Sequence, residues 1–145
     1  VVLGEEVWRQ LRGNLRKYAE EAGRAAPPEV LVMGDFLVRD RAGEAADLYD
    51  TIMSTRHVEA QKIWSNTKQP LHKGKVKEAE PLRLVGTTRE VADTILSLRD
   101  RIGLSGLLLR MPLWNASEGE RIGPVLDILE KEGVWKRPAD RGHSW

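Results

Sequence analysis

The sequence predicts an α/β protein built on a parallel sheet, and three observations predict it. Residues 82–86 form a short apolar run that ends in a Gly-Thr turn, and an amphipathic helical pattern follows directly. After that pattern, residues 106–109 (Gly-Leu-Leu-Leu) are typical of a second buried strand. Further upstream, the apolar residues 29–38 precede another helical segment. Strands that alternate with helices in this way form β-α-β units, which almost always cross over right-handed.

The first half of the chain begins with a predicted helix over residues 4–23. One face of this helix carries apolar residues at helical spacing, namely Val7, Leu11, Leu15, Tyr18 and Ala22. Gly23 is a plausible helix stop, and Pro27-Pro28 breaks the chain. The apolar, β-rich residues 29–38 then predict a strand that is covered on both faces.

A charged turn (residues 39–43) leads into a segment, from residue 44 to about residue 63, whose residues favour a helix. Residues 64–81 lose all periodicity and carry four lysines, two prolines and a glycine, which predicts a long loop. Loops of more than about 12–15 residues in compact domains are usually functional or disordered.

The central β-α-β unit has the clearest local signals. Thr87 and Glu90 have the Thr-x-x-Glu spacing of a capping box, which predicts a helix start at this turn. The helix that follows presents Val91, Ile95, Leu98 and Ile102 on one face. Gly103 offers a left-handed stop before the next strand.

The last segment is predicted to be helical as well. Ser117 and Glu120 have the spacing of a second capping box, and Pro124 predicts a late helix start or a kink. The apolar face consists of Ile122, Val125, Leu126 and Leu129. The helix should end at Gly133, and we expect the polar tail to pack through its tryptophans.

Composition excludes several classes of function. The 145 residues are 41% hydrophobic and 31% charged, as in an ordinary globular protein, and no apolar run approaches the roughly 20 residues that span a bilayer. The absence of cysteine excludes disulfides, thiolate nucleophiles and zinc-thiolate sites, and is compatible with a cytoplasmic origin. A net charge of +1 gives no support to nucleic-acid binding. The three histidines show no metal-ligand spacing, so we expect metal-free chemistry.

Several motifs in order resemble the C-terminal portion of the luciferase-like flavin-dependent monooxygenases, in the alkanesulfonate-monooxygenase branch. The motifs are Ala22-Gly23-Arg24, Phe36-Leu37-Val38-Arg39-Asp40-Arg41 with Glu44-Ala45, Leu84-Val85-Gly86-Thr87 with Val91-Ala92, Gly106-Leu107-Leu108-Leu109, and Ile122-Gly123-Pro124-Val125-Leu126. The order and spacing of these motifs along the chain carry the resemblance.

The resemblance implies a fold and how much of that fold this chain supplies. The family forms (β/α)8 TIM barrels of more than twice this length, so the chain would supply about three parallel strands with flanking helices. Residues 1–135 would be the barrel segment and residues 136–145 a tail. The chain starts Val-Val-Leu, without an initiator methionine or a signal peptide, which we interpret as the middle of a longer polypeptide.

The resemblance also implies partners. It implies reduced FMN as cofactor, with a deazaflavin as the alternative, and a flavin reductase as the source of the reduced flavin. Much of the site for the flavin phosphate would lie in strands outside this sequence. A homo-oligomer, or assembly with a complementing barrel segment, would cover the open sheet edges.

The branch that oxidises sulfonates carries an Arg and a His on the strand that aligns with residues 30–38. Met33 and Asp35 stand at those positions here. An anionic sulfonate would have no counter-charge there and would be repelled by Asp35, which argues against a sulfonate substrate.

Asp35 and Arg110 are the candidate catalytic residues. Asp35 lies in an apolar strand, where an unpaired carboxylate is costly. It is either a general base or hydrogen-bond acceptor beside the flavin ring or substrate, or it forms a salt bridge to Arg39, Arg110 or a neighbouring strand. Arg110 ends a strand and would hold a flavin oxygen, a substrate anion or Asp35; the alternative is a pair with Glu118 or Glu120.

The remaining candidates are binding residues. Gly86 and Thr87, at a helix start, would contact a phosphate or ribityl oxygen, unless they form only a turn and a cap. Met33 and Trp114 would contact the substrate, although a tryptophan in a loop more often serves local packing. Lys77 would close over an anionic ligand, although lysines in a polar loop usually form a solvated face.

Three functions compete at this stage. The first is a segment of a flavin-dependent monooxygenase that oxidises a small organic substrate. The second is a deazaflavin-dependent oxidoreductase on the same fold. The third, from a different class, is a catalytically silent half-barrel that acts as a complementing or interaction subunit.

Overall fold

The computed structural model describes residues 5–55 and 82–142. Their elements, in chain order, are α1 (Glu5–Glu21), β1 (Leu31–Val38), α2 (Ala42–Ser54), β2 (Leu82–Gly86), α3 (Thr88–Ile102), β3 (Gly106–Arg110), α4 (Ala116–Glu120), α5 (Ile122–Lys131) and a 3-10 helix (Pro138–Arg141). The alternation of strands and helices confirms the predicted α/β class. The predicted loop 64–81, with Lys77, and the end of the helix predicted up to residue 63 lie outside the described residues.

The three strands form one parallel sheet in the order β2-β1-β3. β1 pairs with β2 along its C-terminal half, from Gly34 to Val38, and with β3 along its N-terminal half, from Leu31 to Asp35. The parallel pairing confirms the prediction. The strand order differs from that of a barrel, in which successive strands are neighbours and the order would be β1-β2-β3. β1 has the longest apolar run of the three, and such a strand belongs in the centre of a sheet, where both of its edges are paired.

One face of the sheet is covered by helices and forms the core. The even-numbered positions of β1 and β2 contribute Phe36, Val38, Leu82 and Leu84, all buried. They pack against α3 and α5, together with Trp8 from α1. The apolar stripe predicted for α3, which consists of Val91, Ile95, Leu98 and Ile102, is entirely buried, and so is Ala92. Burial of this stripe on one sheet face is what holds the β-α-β unit together.

The opposite face is covered over only half of its length. At its C-terminal half, α2 packs Ala45 and Tyr49 against the sheet, and both residues are buried. At its N-terminal half, three large apolar side chains remain 63%, 48% and 54% exposed, namely Leu31, Met33 and Leu108. We call this surface the open half-face. Its register places it directly next to Asp35 and Arg110 on the same side of the sheet.

The helix ends confirm one predicted capping box and correct the other. Thr87 and Glu90 form both hydrogen bonds of a capping box. The pairing predicted for Ser117 and Glu120 is wrong, because Asn115 is the N-cap of α4 and accepts a hydrogen bond from the Glu118 N–H at 3.0 Å. An Asn side chain two residues earlier caps as well as a serine, so spacing alone did not identify the cap.

The C-terminal segment agrees with the prediction for Pro124 and Trp135, while Trp145 lies outside the described residues. Pro124 is the third residue of α5, inside the first turn, where a missing N–H breaks no helical hydrogen bond. Trp135 packs against the core, and the Arg141 guanidinium lies 5.9 Å from the centre of its ring. Among the helices of the described residues, no helix combines the length and the apolar character that a bilayer span requires.

Candidate functional site

Asp35 and Arg110 face each other across the β1–β3 pair. They are register partners, so both side chains project from the same face of the sheet. Arg110 binds the carboxylate in a bidentate manner, with Nε donating to Oδ1 and Nη2 donating to Oδ2, the latter at 2.8 Å. The Asp35 side chain is fully buried. The salt bridge to Arg110 that the sequence left as one alternative is therefore present.

Tyr49 from α2 completes this group, which we call the Asp35 cluster (Asp35, Tyr49 and Arg110). Its hydroxyl donates to Oδ2 of Asp35 at 2.5 Å. The guanidinium of Arg83 on β2 lies 4.9 Å from the centre of the tyrosine ring, within cation–π distance. The cluster thus joins both strand pairings and α2 around one carboxylate.

Tyr49 and Arg110 keep their protons over the physiological pH range. Burial and the hydrogen bond to Asp35 raise the pKa of Tyr49 to about 12, because both disfavour the phenolate. The hydrogen bond to Asp35 also raises the pKa of Arg110. At neutral pH, Tyr49 is consequently a neutral donor and Arg110 a cation.

These contacts favour one of the roles considered for Asp35. Both of its carboxylate oxygens accept hydrogen bonds from Arg110, and one of them also accepts from Tyr49. A carboxylate bound in this way is a hydrogen-bond acceptor that orients its donors, rather than a base that is ready to take a proton from a ligand. The catalytic assignment of Asp35 and Arg110 stays a prediction.

Arg110 is the member of the cluster that reaches solvent. Its side chain is 41% exposed, whereas that of Asp35 is completely buried. The hydrogen bonds that it makes within the described residues use Nε and Nη2. A guanidinium carries five N–H donors, so the donors of Nη1 are available to a ligand. The site therefore offers an oriented cation at the end of β3.

A second buried ion pair, which the sequence analysis missed, lies beyond the end of β1. Arg39 donates to both carboxylate oxygens of Glu118, at 3.0 and 2.7 Å, and to the carbonyl oxygen of Val38 at 2.6 Å. For Arg110, the alternative considered was a pair with Glu118 or Glu120, but Arg110 pairs with Asp35 and Glu118 pairs with Arg39. The only sequence signal was a charged residue directly after an apolar strand.

Gly86 and Thr87 lie at the C-terminal end of β2, on the other side of β1 from Arg110. Gly86 is in register with Val38, three residues beyond Asp35 and hence about 10 Å further along the strand. The Thr87 N–H donates to the Glu90 carboxylate at 2.8 Å, and its hydroxyl donates to the same oxygen at 2.9 Å. The donors predicted to bind a phosphate are thus already used by an anionic side chain.

The predicted substrate contacts divide between two surfaces. Met33 belongs to the open half-face, one residue pair away from the Asp35–Arg110 pair on the same side of the sheet. Trp114 lies in the loop that follows β3 and is 85% exposed. Lys77 lies outside the described residues. The structure therefore brings Met33, Asp35 and Arg110 together, with Trp114 four residues further along the chain.

Comparison with known proteins adds one likeness in structure. No protein-family model matches the sequence, and a search of the curated proteins gives no match. Among solved structures, the chain is similar to the crystal structure of riboflavin lyase (RcaE) with modified FMN and its substrate riboflavin, with a TM-score of 0.68 and 21% sequence identity. The match covers 91% of this chain and 38% of the riboflavin lyase chain. The two proteins share a fold over this region.

Proposed function

We propose that this chain carries part of the active site of a flavin-dependent monooxygenase of the luciferase-like kind. The remaining walls would come from further strands of a (β/α)8 barrel. The fold likeness to an FMN-containing enzyme, over 38% of that enzyme's length, supports the proposal.

The observation that carries the proposal is the Asp35 cluster. A fully buried carboxylate holds an arginine by two hydrogen bonds, and the arginine keeps further donors at the solvent-facing end of a parallel strand. Active sites on parallel sheets lie at the carboxyl ends of the strands. An arginine that has been oriented before the ligand binds loses little freedom on binding, which favours recognition of an oxygen atom.

The residues around the cluster fit the chemistry of a flavin ring. Arg110 would offer N–H donors to an oxygen of the flavin, and Leu31, Met33 and Leu108 would offer an apolar surface to it. When bound, the reduced flavin supplies the two electrons with which one atom of dioxygen enters the substrate and the other leaves as water. The protein would orient the ring and exclude water.

The flavin phosphate would bind elsewhere. The donors of Thr87 are used within the capping box, and Glu90 places a negative charge beside them. We therefore leave Gly86 and Thr87 out of the proposed cofactor site. A flavin reductase would supply the reduced cofactor from a separate polypeptide.

The proposal is tested by flavin binding to the natural polypeptide that contains this chain. Titration with oxidised and reduced FMN, and with riboflavin, should give saturable binding by fluorescence quenching. Arg110→Lys keeps the charge but loses the bidentate geometry, and should weaken the binding of FMN and riboflavin by about tenfold. Consumption of dioxygen with reduced FMN and a substrate then tests the monooxygenase reaction.

Arg89→Lys is the matched control. Arg89 also forms a bidentate pair, with Asp93, but on the exposed surface of α3. This variant should bind FMN as the unchanged protein does. If none of the three ligands (oxidised FMN, reduced FMN and riboflavin) binds saturably, the proposal is overturned.

The open half-face favours a second candidate, a catalytically silent complementing subunit. Three large apolar side chains that are 48–63% exposed on one sheet face form a surface that a partner chain would cover. Under this alternative, the polypeptide would assemble with a partner chain and bind no flavin by itself. Light scattering together with the same titration separates the two candidates.

A further inference from the structure

The loop between β3 and α4 is tied to β1 at both of its ends. Arg110 comes directly before residues 111–115 and binds Asp35, while Glu118 follows them and binds Arg39. Both partners belong to the β1 segment and are four residues apart, or about 13 Å along an extended backbone. Two bidentate ion pairs therefore fix where this short loop begins and where it ends.

The second of these pairs is fully enclosed. The side chains of Arg39 and Glu118 are 10% and 7% exposed, so both charges have left water. Desolvation of an enclosed pair offsets much of its attraction, and such a pair adds little net stability compared with apolar side chains of the same size. The pair instead fixes the orientation of α4 relative to β1, because its two hydrogen bonds form only at one relative orientation of these elements.

Trp114 lies between the two anchors. It is 85% exposed, the most exposed of the large apolar side chains in the described residues. The next residue, Asn115, accepts hydrogen bonds from the Glu118 N–H at 3.0 Å and from the Ser117 hydroxyl at 2.7 Å. A large aromatic side chain thus projects into solvent from a segment that is held in place on both sides.

We propose that Arg39 and Glu118 are positioning residues that hold Trp114 for stacking on the flavin ring, while Arg110 binds the edge of the same ring. This inference rests on the proposed function and adds to it the residues that place the ring. Flat aromatic rings stack favourably on tryptophan, and anchoring the backbone on both sides of Trp114 lowers the entropy that this segment loses on binding.

The position of the loop favours a ligand over a protein partner. Residues 111–115 follow the carboxyl end of β3, the side of a parallel sheet where ligands bind. Arg110, with its available donors, lies four residues before Trp114 in the chain.

The first test removes the aromatic ring. Trp114→Ala should weaken FMN binding to the natural polypeptide by about tenfold, whereas Trp114→Tyr, which keeps a flat ring, should stay within about threefold. Tyr18→Ala is the matched control, because Tyr18 is also an exposed aromatic residue, 61% exposed on α1, and should not matter. Unchanged affinity in Trp114→Ala, while the unchanged protein binds FMN, would overturn this inference and leave the proposed function standing.

The second test asks whether Glu118 acts through Trp114. Glu118→Gln should weaken FMN binding severalfold in the unchanged background and should have no further effect in Trp114→Ala. A merely structural role would give the same loss in both backgrounds, and this result would overturn the positioning role. If Glu118→Gln does not fold, Arg39→Lys, which keeps the charge and loses the bidentate contact, takes its place in the cycle.

A measurement without ligand completes the test. In protein labelled with 5-fluorotryptophan, the Trp114 resonance, assigned by its loss in Trp114→Phe, should shift or broaden in Glu118→Gln. An unmoved resonance would contradict the positioning role. Sedimentation at the concentrations used for NMR provides the remaining check, because self-association that depends on Trp114 would make the tryptophan an interface residue and overturn the inference.

Discussion

The two buried ion pairs of this protein use the same chemistry in different surroundings. Each joins an arginine to a carboxylate by two hydrogen bonds, and each connects the β1 segment to the region around the β3–α4 loop. In the Arg39–Glu118 pair, both side chains are enclosed. In the Asp35–Arg110 pair, the carboxylate is enclosed and the arginine is 41% exposed.

This difference separates a structural contact from a candidate site. An enclosed cation contacts only other groups of the protein, so its role is limited to orienting the segments that it joins. A half-exposed cation held by a buried carboxylate keeps a defined orientation and also meets ligands. Arg110 therefore differs from Arg39 in that only its carboxylate partner is buried. Ion pairing by itself does not distinguish the two arginines.

The largest effect should come from breaking the enclosed pair. Glu118→Ala leaves the Arg39 charge buried without its partner, so we expect the free energy of unfolding to fall by about 3–5 kcal/mol. Urea unfolding measures this change. Asp127→Ala is the control, since Asp127 pairs with Arg137 at the surface, and its loss should change stability only slightly.

Breaking the other pair should cost less. In Asp35→Ala, the cation left behind is the half-exposed Arg110, which can turn its charge into water, so we expect a loss of about 1–3 kcal/mol in the free energy of unfolding. The same urea experiment gives this value. A loss as large as that of Glu118→Ala would mean that the two pairs do not differ in the way described here.

The smallest effect concerns Tyr49 and depends on pH. Its pKa, raised to about 12 in the fold, exceeds the value of about 10 in an unfolded chain, so the neutral phenol stabilises the fold at any pH below 10. Between pH 10 and 12 the unfolded state loses its proton first, and this stabilisation disappears. The stability advantage over Tyr49→Phe, about 1 kcal/mol at neutral pH, should therefore shrink as the pH rises.

Urea unfolding of the two proteins from pH 8 to pH 12 tests this difference, because other groups that titrate in this range do so in both. Absorbance at 295 nm in a Tyr18→Phe background follows the Tyr49 phenolate directly. Ionisation of Tyr49 at its ordinary pKa would show that the hydrogen bond to Asp35 does not form in solution.

Local patterns predicted much of the local structure, but not the buried face of α1, where Trp8 and Ala19 are buried and Val7 and Tyr18 are exposed. The capping box at Thr87, the apolar stripe of α3 and the first-turn position of Pro124 depend on neighbours within a few residues, and all of them are present in the structure. The N-cap of α4 was assigned to Ser117 instead of Asn115, because these two residues lie only two positions apart and both are suitable N-cap residues.

The candidate site was predicted only in part. Asp35 was singled out because a charge in an apolar strand needs a partner, and Arg110 was among the partners considered. Tyr49 was missed, since a tyrosine on a helix looks like any other core residue. The buried pair of Arg39 and Glu118, which are 79 residues apart, also left almost no local signal.

The sequence by itself determined that strands and helices alternate, where most of them begin and end, and that Asp35 required a counter-charge. These properties follow from periodicity, capping and the cost of a buried charge, all of which act over short stretches of chain. Only the tertiary structure decided that β1 is the central strand, which arginine binds which carboxylate, and which of them remains open to a ligand. Those outcomes depend on register and burial, which arise when segments that are distant in the chain pack together.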